Sequence, residues 1–149
     1  MNNTIKIGIG QMKVFDDKKA NLSSAVTLIK KAAQEECELV ILPEMFNCPY
    51  GAQYFHSYAE TIPGETSSEL EKLAEAEGVY LVAGSIPEKD EGHYFNTSMV
   101  FDPSGTMIAK HRKMHLFDID IPEGITFFES DTLSPGQEVT TFETVFGHM

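Results

Sequence analysis

Two cysteines, Cys37 and Cys48, are all the thiols in this 149-residue chain. They form no Cys-x-x-Cys and no disulfide framework, so a reducing compartment is the expectation. Basic side chains are also scarce: 11 Lys and Arg stand against 23 Asp and Glu, a formal net charge of −12. Phosphate contacts need clustered cations, so nucleic acid and anionic membrane surfaces are poor partners. The short basic runs, Lys18-Lys19 and Lys110 to Lys113, are too small to reverse that. No apolar run approaches the length of a bilayer crossing. Met1-Asn2-Asn3-Thr4 lacks the charged start of a secretory leader. The cytosol is the expected location, with the mitochondrion as the alternative. No third glycine follows Gly8 and Gly10 at dinucleotide spacing, and neither a Walker motif nor a Gly-x-Ser-x-Gly elbow occurs.

What is present is enough apolar material, 42% of residues, for the core of one globular domain. Ile5, Ile7 and Ile9 alternate, which predicts a buried or half-buried first strand. Asp16 or Asp17 can cap the helix that follows, whose apolar face is Leu22, Ala25, Val26, Ile29 and Ala33. Glu38 to Leu42 is a short strand stopped by Pro43, and an aromatic-rich loop follows from Phe46 to Tyr58. Thr66-Ser67-Ser68-Glu69 reads as a capping box opening a helix that ends near Gly78. Val79 to Ala83 is the next strand. This order predicts parallel strands with right-handed helical crossovers. Asn96 to Phe101 and Thr106 to Lys110 then form a hairpin around Asp102-Pro103-Ser104-Gly105. His115 to Gly136 reads as loop, and Thr140 to Val145 as a final strand.

Few residues offer chemistry. Glu44 follows a buried-looking strand, and ligands of open α/β sheets bind beyond the carboxyl ends of strands. A partly desolvated carboxylate there could act as a general base. Lys113 sits just past the hairpin, where an ammonium aimed into a dry site would stabilise an oxyanion. Glu129, after Thr126-Phe127-Phe128, could orient the amine or a substrate. Taken singly, each is more simply a solvated strand-end or loop charge. His111 and His115 are four apart with no evident third ligand, so no metal is expected, and His56, His93 and His148 are isolated. Cys48 lies four residues from Glu44 but carries no sign of an activated thiol, and Cys37 reads as a packing residue at a helix end.

Together, the ordered segments narrow the reading. They are Gly8-Ile9-Gly10-Gln11, Leu42-Pro43-Glu44, Phe46-Asn47-Cys48-Pro49-Tyr50-Gly51, Ile62-Pro63-Gly64-Glu65, Ala83-Gly84-Ser85-Ile86-Pro87-Glu88, Tyr94-Phe95-Asn96-Thr97, Lys113-Met114-His115-Leu116-Phe117-Asp118-Ile119-Asp120, Glu129-Ser130 and Leu133-Ser134-Pro135-Gly136. The set closely resembles the nitrilase superfamily of carbon–nitrogen hydrolases, and most of all its omega-amidase branch. The resemblance covers essentially the whole chain.

The resemblance implies an α/β fold, the first half of an α–β–β–α sandwich, with residues 1–149 a partial carbon–nitrogen hydrolase domain. It implies release of ammonia from small omega-amides of keto acids, through a thioester on a cysteine. Glu44 resembles the general base, Lys113 the lysine that stabilises the tetrahedral intermediate, and Glu129 the assisting glutamate. The family's nucleophile, in a Gly-Ile-Cys-Tyr-Asp-like strand end, has no match. It would be expected soon after Thr140 to Val145, so the chain is expected to be inactive alone. A half fold should expose apolar sheet surface and associate. No cofactor is implied, the partner is a small amide, and the full-length protein is expected to be a homo-dimer. The alternative is a non-catalytic remnant that binds a small amide or a partner subunit.

Overall fold

Gly8 and Gly10 explain how the sheet meets its helices. The computed structural model describes residues 4–149, so Met1, Asn2 and Asn3, read above for a leader, lie outside the described residues. Strand β1 (Ile7–Ile9) pairs in parallel with β2 (Leu39–Ile41), and β2 with β3 (Tyr80–Val82). Helix α1 (Lys18–Gln34) crosses between the first two strands, and α3 (Glu65–Glu77) between the next two. A Cβ on Gly8 would stand 2.9 Å from the Ala32 Cβ of α1. The glycines therefore let helix and strand approach closely. Ile7 and Ile9, expected to be at least half-buried, point to the opposite face and are 46% and 80% exposed. The Asp17 carboxylate caps α1 by accepting from the Ala20 N–H at 3.0 Å, which stabilises the helix by roughly 1 kcal/mol.

Beyond β3 the sheet turns antiparallel. Strand β4 (Ile86–Asp90) pairs with β5 (His93–Phe101), and β5 with β3 and β6 (Met107–Arg112). The β4–β5 hairpin was not expected. Its two-residue turn, Glu91 and Gly92, has φ of 46° and 83°, the positive values a type I′ turn requires. In the β5–β6 turn, the Asp102 carboxylate accepts from the Ser104 and Thr106 N–H groups at 2.8 and 3.0 Å.

Four local expectations need correction. The aromatic loop contains a short helix, α2 (Ala52–Tyr58), which buries Phe55. Helix α3 starts two residues earlier than a Thr66 cap would place it. Gly64 is its cap, and Ser67 Oγ accepts from the Gly64 N–H at 2.8 Å. Thr66 instead donates to the Glu60 carboxylate from its N–H and its hydroxyl. The stretch from His115 to Gly136 contains a hairpin of β7 (Asp118–Asp120) and β8 (Thr126–Phe128). Thr140 to Val145 does not join the main sheet. Only β9 (Glu143–Thr144) forms there, paired with β10 (Gly147–His148) in a separate ribbon.

The core lies on the helix side of the sheet. Val40, Leu81, Met99 and Phe101 pack there against Ala25 and Ile29 of α1 and Leu70, Leu73 and Ala74 of α3. Burying each large apolar side chain stabilises the fold by about 1.5–3 kcal/mol. Among the described residues, no helix is long and apolar enough to cross a membrane. Among the described residues, the opposite face, with Ile7, Ile9, Ile41 and Val82, has no helical layer. An uncovered apolar sheet face drives association. The isolated 149-residue chain is therefore expected to sediment as an oligomer or aggregate, and a monodisperse, cooperatively melting monomer in the ultracentrifuge would contradict that.

One charge is buried on the helix side of the sheet edge. Glu88 is 1% exposed. Its carboxylate accepts from Arg112 Nε and Nη2 at 2.7 and 2.8 Å, from Lys110 Nζ at 2.9 Å and from Thr97 Oγ1 at 2.6 Å. Burial alone would raise its pKa, but the donors, Arg112 first, outweigh it and lower it to about 2. The folded value lies below the ordinary 4.5, so this contribution to stability is present above about pH 4.5 and fades as pH falls toward about 2. Glu88→Ala is expected to cost roughly 3–5 kcal/mol at pH 7 by leaving its partners unpaired. In urea titrations the gap between wild type and variant should narrow across that acid window.

Candidate active site

Glu44 owes its position to a strained turn. The Leu42 N–H continues the β2–β3 ladder by donating to the Val82 carbonyl at 3.0 Å, and Pro43 ends it. Buried Met45 then takes a φ of 50°, a left-handed backbone that costs a residue other than glycine about 1–3 kcal/mol. The connection between β3 and β4 pins this turn. Ser85 Oγ accepts from the Met45 N–H at 3.0 Å, and the Ser85 carbonyl from the Phe46 N–H at 3.2 Å. Gly84, at φ 41°, lies so close that a Cβ there would sit 2.0 Å from the Pro43 carbonyl oxygen. The turn leaves the Glu44 side chain 49% exposed at the end of β2.

Lys113 arrives from the other side of the sheet. Its N–H donates to the Asn96 carbonyl at 2.8 Å, which extends β6 by one residue. Its Nζ lies 2.8 Å from Glu44 Oε1 and 2.9 Å from Glu129 Oε2. It also donates to the Tyr50 hydroxyl at 3.4 Å. Partial burial disfavours the ammonium, but the two carboxylates outweigh it and hold the Lys113 pKa above its ordinary value. The amine therefore stays charged at neutral pH.

Glu129 stands in a 3₁₀ turn (Glu129–Asp131) at the foot of the β7–β8 hairpin and is fully buried. Burial pushes its carboxyl up. The Phe117 N–H at 2.7 Å, the Lys113 ammonium and the Asn96 amide at 3.1 Å outweigh it and hold the group below the usual carboxylate range. Tyr50 is pushed up to about 12 by burial and then by Glu44 and Glu129, so it remains a neutral phenol.

The structure thus brings Glu44, Lys113 and Glu129 together, although they are far apart in sequence. It brings neither cysteine to them. Cys48 is 1% exposed among Met45, Phe55 and Leu133, and its thiol donates to the Pro49 carbonyl at 3.3 Å. Burial pushes this thiol up to about 12, which leaves it protonated and unreactive. Cys37 packs beside Gly8 at the end of α1. His111 Nδ1 faces Thr140 Oγ1 at 3.0 Å, and His115 is exposed. Below the ion cluster an open trough of about 570 Å³ runs along the helix-free face, past Ile41, Val82, Ser98 and His111. The arrangement offers a fixed cation, an accessible carboxylate and a buried carboxylate held toward its ionised form.

Three contributors were not singled out from the sequence: Asn96, Tyr50 and Ser85. Asn96 carries a faint signal, an amide in the middle of an otherwise buried strand, where a polar group needs a partner. Tyr50 and Ser85 carry none, because their partners are remote in sequence.

Known proteins share this arrangement of elements. The family profile described as carbon-nitrogen hydrolase matches residues 6–149. The chain is 51% identical over 141 residues to omega-amidase NIT2 of Xenopus tropicalis, covering 95% of this chain and 51% of that protein. It is 48% identical over 143 residues to omega-amidase NIT2 of Homo sapiens, covering 96% of this chain and 52% of that one. The crystal structure of Saccharomyces cerevisiae Nit3, a member of branch 10 of the nitrilase superfamily, superposes with a TM-score of 0.83 at 39% identity, over 97% of this chain and 53% of that chain. The chain spans about half the length of the curated relatives it matches. With the profile matching nearly its whole length and identities near one half, the chain belongs to the carbon–nitrogen hydrolase family, in the nitrilase superfamily.

Proposed function

We propose that these residues supply the proton-transfer and oxyanion-binding groups of an omega-amidase-type hydrolase that releases ammonia from small omega-amides of keto acids. One observation carries the reading: the Lys113 ammonium is held between Glu44 and Glu129 at 2.8 and 2.9 Å, beside an open trough, in a chain 48–51% identical to omega-amidases. Glu44, the accessible carboxylate, is the general base. It takes the proton of a cysteine thiol as the sulfur attacks the amide carbon. Lys113 donates hydrogen bonds to the oxygen that becomes negative in the tetrahedral intermediate. The carbon–nitrogen bond then breaks, and Glu44 returns its proton to the leaving ammonia. A water next attacks the thioester, giving a proton to Glu44. The acid departs, and the sulfur recovers that proton. Glu129 stays ionised throughout and keeps Lys113 charged. The thiol comes from outside these 149 residues, because Cys37 and Cys48 are packed away from the cluster. The chain by itself turns over no amide.

The test is ammonia release by the complete protein from a short omega-amide of a keto acid. Glu44→Gln and Lys113→Met are each expected to lower kcat by about 10² or more. No release from the unmutated protein, or full activity in either variant, would sink the reading. Cys48→Ala is expected to leave kcat at the wild-type level, since that thiol is buried and protonated. A Cys48→Ala protein that folds normally but loses turnover would overturn the choice of an external thiol.

A further inference from the structure

The two oxygens of Glu44 are not equivalent. Oε1 accepts from Lys113 Nζ at 2.8 Å and from Asn96 Nδ2 at 2.7 Å. Oε2 has no hydrogen-bond partner among the described residues. The Asn96 amide also donates to Glu129 Oε1 at 3.1 Å, while Lys113 and the Phe117 N–H hold Glu129 Oε2. Asn96 and Lys113 thus form two parallel bridges across the same pair of carboxylates. Asn96 itself is 2% exposed and sits on β5, tied into the sheet by paired strands on both sides. It has little freedom to follow a moving carboxylate, so the carboxylate must conform to it.

We propose that Asn96 is a positioning residue that clamps Oε1 of Glu44 and thereby assigns proton transfer to Oε2. This rests on the reading of Glu44 as the general base. The physical reason is that an oxygen accepting two strong hydrogen bonds, one from a cation, is the poorer proton acceptor. The free oxygen takes the proton, and its direction is set by the clamp. Lys113 alone cannot do this, because a flexible four-carbon stem fixes distance better than orientation. Asn96 supplies the rigid second point. At 2% exposed, with its amide spent on the two carboxylates, it has little left to offer a ligand, so its loss should act on kcat and leave KM in place. The charged groups facing Glu44 are Lys113 and Glu129, with the Tyr50 phenol beside them and His111 and His115 along the trough. None of them replaces the amide donor.

The experiment uses the complete protein with Asn96→Ala and the isosteric Asn96→Asp, both checked for folding by circular dichroism. The expected result is a kcat lower by roughly tenfold or more with KM within about twofold of wild type. Asn96→Asp should exceed Asn96→Ala, since it adds a like charge. A change in KM alone, or an unchanged kcat in both folded variants, would overturn the proposal. A second measurement needs no turnover. In Glu44→Gln, the Asn96 side-chain amide resonances should move from their positions in the unmutated protein, and resonances that stay in place would overturn the clamp. If the wild type releases no ammonia yet this coupling appears, the amidase reading fails and the clamp stands. If ammonia is released and the coupling is absent, the clamp fails alone.

Discussion

A single ammonium between two carboxylates is the contact on which the rest of this structure converges. Glu129 is fully buried, and Glu44 lies close by. Two negative groups so placed repel each other, and burial raises the free energy of the inner one. Lys113 offsets both effects, and Asn96 and the Phe117 N–H add donors, Asn96 to both carboxylates and Phe117 to the buried one. Removing the cation would leave an unpaired buried charge, which proteins avoid by losing structure or taking up a proton. The ends of β2 and β6, the middle of β5 and the foot of the β7–β8 hairpin are all held to this point. The chemistry proposed for the site follows from the same balance, with one charge buried and fixed and another left open to solvent.

The second constraint is the geometry that delivers Glu44. A left-handed residue at Met45 is unfavourable and persists only because its surroundings over-determine it. Gly84 lets the neighbouring backbone come within contact of Pro43, and Ser85 takes the Met45 N–H. The Phe46 and Asn47 side chains that follow are fully buried, so the turn cannot relax outward. Asn21 of α1 extends this support by donating from Nδ2 to the Asn47 carbonyl at 3.2 Å. Helix packing on one face of the sheet is thereby coupled to the placement of a carboxylate at its end.

The sheet's two faces are divided between the core and the candidate site. The helix side carries the core and the Glu88 ion cluster. The other side carries Ile9, Ile41 and Val82 and the trough that leads to Lys113. Alternation along β1 therefore means something other than its surface pattern suggests. Its small residues face the core and its large ones face away, because the helix approaches too closely for a side chain at Gly8.

Sequence by itself determined what is local or strongly periodic. Helix α1 with its Asp17 cap, the end of α3 at Gly78, the three parallel strands and the Asp102 turn were all legible. Each depends on neighbours within a few residues. So were Glu44, Lys113 and Glu129 as candidates, through the ordered segments that resemble a known family; taken singly they looked like ordinary surface charges. The tertiary structure decided what depends on remote partners. It alone joined the three charges, showed Asn96 bridging two of them and turned the alternation of β1 inside out. It also drew β7 and β8 out of a stretch that reads as loop and reduced the expected last strand to a small ribbon. The physical reason is the same in each case. Hydrogen bonds and ion pairs between residues tens of positions apart leave no periodicity in the chain, and only the packing of the sheet brings such groups within reach.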